Sequence, residues 1–303
     1  MKLAVPDLIS NSYFPALAAA ELGFFQREGL DVTAELIFPV DRAYEALRDG
    51  EIDFVGGAAH GALAAFTEWR GVKLVGALAQ GMYWFLVMRK ELGIARGDLA
   101  ALRGRRIGAA PWVEMGLRGL LTAAGLEPRR NDIRIGPVPG ATGSSINFGL
   151  TAAQALQRGE IDGFWANGMA TEIAVTSGFG TIVLDVRRGD GPPGCFDYTM
   201  PVLAMRDPRD DRSLEIAALA CRALVATQQA LKADVSLATE VGKRRFPPHE
   251  AALIAGIVER DLPFYTAEIS EPSFNAINDF ARHMSILDEG MPYSGVVFRP
   301  GEG

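Results

Sequence analysis

Two short stretches hold residues suited to gripping a small molecule. "SNSYF" (10–14) sets Asn11, Ser12 and Tyr13 just ahead of an apolar helical run, and "PWVEMG" (111–116) sets Trp112, Glu114 and Met115 in the same relation to another. Hydroxyl and amide groups beside a helix start can bind a polar solute, or they can simply cap the helix. Glu114 carries the sharper chemistry. Turned into a cleft, its carboxylate would repel an anion about 4 Å away by roughly 4 kcal/mol at an effective dielectric near 20. Such a site would suit an amine, an amidine or an N–H-rich heteroaromatic ring. Turned outward, Glu114 would serve only the helix dipole. His60 ends "GGAAH" (56–60) directly after an apolar strand-like run, where it could be structural, could contact a ligand, or could act with Glu114 as an acid–base pair. Gly56-Gly57 would allow a tight strand exit. Trp165 and Asn167 occupy a similar strand-end position; Trp112, Trp165 and Tyr198 fit ordinary core aromatics, and the strand-end placement of Trp112 and Trp165 fits an aromatic-lined pocket equally.

These groups are placed by a phrase that the chain writes twice. "AYEALRDGEIDFVGG" (43–57) returns as "AAQALQRGEIDGFWA" (152–166), aligning Gly50-Glu51-Ile52-Asp53 with Gly159-Glu160-Ile161-Asp162. Each copy reads as an amphipathic helix, a glycine cap and a strand. Upstream, "KLAVP", "FPALAAAELGFFQREGL" and "DVTAELIF" are answered by "RIGAA", "GLRGLLTAAGL" and "DIRIGPV". The unit is therefore β-loop-α-β-α-β, twice, and strands alternating with helices predict parallel sheets covered on both faces, in two α/β lobes. "YWFLVMRKEL" (83–92) and "FDYTMPVLAMRD" (196–207) read as strands that carry the chain between lobes. The expected division is 1–85 with 197–303 in one lobe and 86–196 in the other, with two crossing strands as the hinge. Helices are expected over 212–232, 234–245, 248–260 and 271–287.

Composition narrows the function. The 303 residues are 49% hydrophobic with a net charge of -7, and no basic cluster offers a nucleic-acid footprint. No apolar run approaches the ~20 residues of a membrane span, so membrane insertion is not expected. "MKLAVPDLISNSY" lacks the apolar core and cleavage site of a signal peptide, which predicts a cytoplasmic protein as written and a periplasmic one if the sequence is a trimmed mature form. Cys195 and Cys221 are too few and too far apart for a zinc cluster or a disulfide framework, and Cys221 fits a helical core position. No metal or cofactor is expected.

"ALAAAELGFFQREGLDV", the doubled "AL-x-x-G-x-ID" and "DLAALRGRRIGAAPWVEMGLRGLLTAAGL" resemble the nitrate/sulfonate/taurine branch of ABC-transporter substrate-binding proteins, a superfamily that includes the pyrimidine-precursor synthases of thiamin biosynthesis. The resemblance covers nearly the whole chain. It implies a type II periplasmic-binding-protein fold with one small solute between hinged lobes, and an ABC permease as partner. Ligands of open α/β sheets sit beyond the carboxyl ends of strands, so the candidate ligand-binding set is Asn11, Ser12, Tyr13, His60, Trp112, Glu114, Met115, Trp165, Asn167 and Tyr198. The same superfamily leaves two alternatives, a cytoplasmic sensor and an enzyme. His60 with Arg70 is similar to the His and Arg of an aromatic sulfinate desulfinase, but that enzyme's nucleophilic Cys falls where this chain has Asn11 and Ser12, and the synthases' cysteine-rich motif is absent. Without that Cys, an enzyme here would need another nucleophile or a His60/Glu114 acid–base pair.

Overall fold

The structure is a computed structural model that describes residues 1–143 and 145–299. The first repeat runs β1 (Lys2–Val5), α1 (Phe14–Glu21), α2 (Phe24–Arg27), β2 (Thr33–Leu36), α3 (Val40–Asp49) and β3 (Phe54–Ala58), and β4 (Val72–Ala77) follows it. The chain then crosses into β5 (Phe85–Arg89). The second repeat is β6 (Arg106–Ala109), α4 (Glu114–Ala123), β7 (Arg134–Gly136), α5 (Phe148–Gln157) and β8 (Gly163–Ala166), continued by α6 (Gly168–Thr176) and β9 (Gly180–Asp185). It returns through β10 (Pro201–Arg206) to the helices α7 (Asp211–Ala233), α8 (Leu237–Arg245), α9 (Pro248–Asp261), α10 (Glu271–His283) and α11 (Tyr293–Val296).

Two five-stranded sheets result, ordered β2-β1-β3-β10-β4 and β7-β6-β8-β5-β9. Matched strands occupy matched places. Each sheet holds one antiparallel strand, fourth in its order, β10 in the first and β5 in the second, and β10 reaches the first sheet only after the whole of the second has been laid down. The α/β architecture expected from the alternating pattern is present, in two lobes, but each sheet is mixed and not purely parallel, because the strand that carries the chain between lobes runs against its neighbours.

The doubled phrase does the same work in both. Gly50 and Gly159 stand at φ 82° and 71°, a left-handed turn that suits glycine and lets Glu51 N–H and Glu160 N–H reach back to Ala46 and Ala155, each at 3.0 Å. Ile52 and Ile161 are buried. Asp53 Oδ2 accepts from Lys2 N–H at 2.7 Å while its own N–H donates to the Lys2 carbonyl, and Asp162 Oδ2 accepts from Arg106 N–H at 2.8 Å while its N–H donates to the Arg106 carbonyl. The aspartate thus fixes the start of the first strand of its repeat.

Several boundaries differ from expectation for local reasons. The strand expected over 83–92 is β5 alone, because Lys90–Leu92 turns to a left-handed Gly93. Residues Cys195–Tyr198 form a 3-10 turn ahead of β10, and α10 stops before Ser285, whose φ is 58°. Gly56 and Gly57 are interior to β3 and not at a strand exit. A Cβ at Gly56 would meet Val5 and Ala16 at 3.1 and 3.3 Å, and one at Gly57 would meet Val40 and Tyr44 at 3.1 and 3.2 Å, so both glycines let helices lie close on the sheet. Cys221 is half-buried on α7, not in the core proper. Among the described residues, no helix is long and apolar enough to cross a membrane.

Candidate functional site

Strand-end segments from both lobes converge on one small space. Pro6, Asp7, Ser10, Ser12 and Tyr13 follow β1; Ala110, Pro111 and Val113 follow β6; Ala166 and Asn167 end β8; and Phe38, Val40, Trp84 and Phe148 complete the wall. The cavity measures about 30 Å³, room for a water-sized group, so a larger solute enters only if the lobes part. Outside it lies a groove of about 580 Å³ that shares Phe38, Pro111 and Phe148 with the inner wall.

Asp7 is the one charged group of the inner wall among the described residues. Its Oδ2 accepts from Gly149 N–H at the start of α5 (2.9 Å) and from Asn167 Nδ2 (3.0 Å), both on the second lobe, and its Oδ1 accepts from Ile9 N–H (3.1 Å). Burial pushes the Asp7 carboxyl up to about 7, against the pull of these three hydrogen bonds. Asn167 is held in turn, its Oδ1 capping α6 by accepting from Ala170 N–H at 3.0 Å.

Of the expected ligand-binding residues, Ser12, Tyr13 and Asn167 line the cavity. Ser12 Oγ is buried without a hydrogen-bond partner, and Tyr13 OH pairs with Tyr83 OH at 3.1 Å. The capping role weighed for Asn11 and Ser12 is not taken up, since α1 begins after Tyr13 with no side-chain cap. Asn11 Nδ2 instead donates to Asp261 Oδ2 at 2.7 Å, behind the cleft. Asp261 also meets Arg187 at 3.2 Å, both side chains being 3% exposed.

The other expected residues stand outside the inner wall. His60 is wholly buried: its Nε2–H donates to the Trp112 carbonyl (3.0 Å), which leaves Nδ1 to accept from Thr199 Oγ1 (2.9 Å). Burial lowers its pKa to about 4, so the ring is neutral near pH 7 with both nitrogens engaged. Trp112 offers that carbonyl from a left-handed backbone (φ 67°), a strained geometry for a bulky residue. Trp165 donates from Nε1 to the Val113 carbonyl at 3.2 Å, and Tyr198 stacks on Phe280 with ring centroids 4.8 Å apart. Glu114 and Met115 lie half-buried in the first turn of α4. Glu114 Oε2 is unpartnered, and its carboxyl is raised first by burial and then by the charge of Asp41 across the lobes. His60 and Glu114 are not hydrogen-bonded to one another, both ring nitrogens of His60 being engaged elsewhere.

Sequence reasoning passed over Asp7, Phe38 and Phe148. The signal for Asp7 was available, since the loop after β1 carries a carboxylate just as the loop after β6 carries Glu114. Phe38 and Phe148 read as ordinary apolar residues flanking α3 and α5, and nothing local marks them. Among the described residues, no three His, Cys, Asp or Glu side chains converge as a metal site requires.

A family model described as "NMT1/THI5 like" matches residues 10–177, a span that takes in both copies of the repeat. No curated protein gives a significant match. Among solved structures, the alkanesulfonate-binding protein SsuA from Xanthomonas axonopodis pv. citri bound to MOPS is similar at 16% identity and a TM-score of 0.71, over 99% of this chain and 98% of that one. The periplasmic aliphatic sulphonate binding protein SsuA from Escherichia coli is similar at 14% identity and a TM-score of 0.66, over 96% and 94%. A DszB mutant in complex with biphenyl-2-sulfinic acid is similar at 14% identity and a TM-score of 0.62, over 96% of both chains. At these identities the likeness is one of fold.

Proposed function

Because the family match covers more than half of its length, the chain belongs to the NMT1/THI5-like family, and on that premise we propose that it captures a small aromatic or nitrogen-containing solute between its lobes for an ABC importer. The observation that carries the reading is the cavity wall, where strand ends from two lobes meet around aromatic rings and, among the described residues, a single carboxylate. Ligands of this architecture belong at such ends. Phe38, Trp84 and Phe148 offer ring faces, Ser12 Oγ offers an unpaired polar atom, and Asp7 favours a donor over an acceptor.

The lobes of this reading are 1–85 with 197–303, and 86–196, hinged where β5 and β10 enter their sheets. The partner is an ABC permease that reads the closed form, and the working place of a mature capture protein is the periplasm. His60 is a closure tie here, because a neutral ring with both nitrogens engaged has no proton to exchange near pH 7. That observation favours capture over catalysis.

The test is native mass spectrometry of the protein purified from its own host, followed by release and identification of the bound solute. An intact ring- or nitrogen-bearing molecule is expected. A solute with neither feature would overturn the ligand class, and a solute chemically altered on incubation with the protein would overturn capture.

A further inference from the structure

Asp7 does two things at once in the closed cleft. It belongs to the loop after β1, yet two of its three hydrogen bonds come from the other lobe, from Gly149 N–H and Asn167 Nδ2. It is 5% exposed, and no Lys, Arg or His stands among the described residues of the inner wall. The N-terminal end of α5 supplies only partial positive charge. A carboxylate that leaves water on closure with no cation to meet it is costly unless positive charge arrives with it.

We propose that Asp7 sets the charge the cleft accepts: the lobes close together with one positive charge, either a proton or the cationic group of a solute, and anions are turned away. This rests on the cleft being the solute site, and it separates this chain from the sulfonate-binding relatives whose fold it shares. In the open form Asp7 faces water and titrates as an ordinary carboxylate; in the closed form burial raises it to about 7. The sign follows from that direction. Protons favour the closed form, fully so below the ordinary carboxylate range, and the advantage is lost as pH rises through about 7.

The titratable groups near Asp7 are few. Tyr13 faces it and is itself pushed up by burial, its hydrogen bond to Tyr83 and the charge of Asp7 being smaller influences, so it stays neutral. Asp41 and Glu114 each follow a wall residue in sequence, and both are raised, chiefly by burial. A variant is therefore needed to assign the proton.

The experiment follows compaction of the solute-free protein by small-angle X-ray scattering from pH 5 to 8.5, in wild type and Asp7→Asn, with Asp7→Ser in reserve should the Asn variant fail to fold. The closed-to-open ratio of wild type is expected to fall by up to about tenfold per pH unit as pH rises from 5 to 7, the slope of one proton. The variant is expected to be flat. A flat wild-type curve, or a slope that survives in the variant, would overturn the proposal. At pH 8, benzamidine and benzenesulfonate serve as cationic and anionic probes: benzamidine should raise the melting temperature of wild type more than of Asp7→Asn, and benzenesulfonate should do the reverse. Equal benzenesulfonate binding by both proteins would also overturn it. If neither probe binds either protein while the pH slope follows Asp7, the latch stands and the solute reading falls.

Discussion

Phe38 and Phe148 stack across the cleft, with ring centroids 5.7 Å apart and planes 15° from parallel. One ring precedes α3 in the first lobe and the other opens α5 in the second, so the pair exists only when the lobes are closed. It also forms the partition between the inner cavity and the outer groove. Phe148→Ala should therefore loosen closure, losing the ~0.5–1.5 kcal/mol such pairs add beyond burial together with the apolar contact itself. Small-angle scattering should show a larger radius of gyration, and Phe148→Leu should fall between the two. Equal compaction in all three proteins would make the stack incidental.

His60 predicts a pH signature of stability. Its folded pKa is lowered to about 4 from an ordinary 6.5, so it contributes stability that is present above 6.5 and is lost as pH falls through about 4, because the unfolded chain takes up the proton first. The full effect is on the order of 3 kcal/mol, since each pK unit corresponds to about 1.4 kcal/mol. Denaturant titrations between pH 7.5 and 4.5 should show wild type losing more stability than His60→Gln. Parallel losses in the two proteins would place the acid sensitivity elsewhere.

Behind the cleft, Asp261 compensates Arg187 and holds Asn11, and Arg187 lies over the rings of Tyr83 and Phe264 at 5.7 and 5.1 Å. Asp261→Ala strands a buried guanidinium, which should cost about 3–5 kcal/mol. The double change Asp261→Leu with Arg187→Met removes both charges and should recover most of that loss. Urea midpoints for the two variants decide the matter. A double variant as unstable as the single would mean that packing around the pair, and not its charge, holds the segment.

What the sequence disclosed and what it withheld divide along the range of the interactions. The repeat, its glycine caps and the alternation of strands and helices are local, and they located the loops that meet at the cavity, including Ser12, Tyr13 and Asn167. Whether a side chain in such a loop turns inward depends on the opposite lobe. Asp7 faces the cavity because Gly149 and Asn167, far along the chain, supply donors there. Glu114 sits one residue past the wall on α4, and His60 turns to Thr199 and the Trp112 carbonyl. The Phe38–Phe148 stack likewise has no local mark, since each ring is an apolar residue in an apolar neighbourhood until the lobes meet.

The doubled phrase gives a paired prediction. Asp53 and Asp162 anchor the first strands of their repeats through the same two backbone hydrogen bonds, but their surroundings differ in charge. Asp162 also approaches Arg89 at 3.3 Å and Arg106 at 3.5 Å. Burial works against its ionised form, yet the hydrogen bonds from Arg106 and the charges of Arg106 and Arg89 hold its carboxyl below the ordinary value. Asp53→Asn and Asp162→Asn should each weaken an anchoring hydrogen bond to an ionised acceptor, a loss of about 1–3 kcal/mol. The Asp162 deficit should shrink in high salt, because a partly exposed pair with arginine is screened where a bond to a backbone N–H is not. Urea unfolding of both variants at low and at molar sodium chloride makes the comparison. Neither change should alter solute affinity, since both aspartates lie at the strand ends opposite the cleft. Equal salt responses would mean that the arginines contribute nothing at Asp162, and a loss of affinity in either variant would give the repeated phrase a part in the site that its position in the fold does not provide.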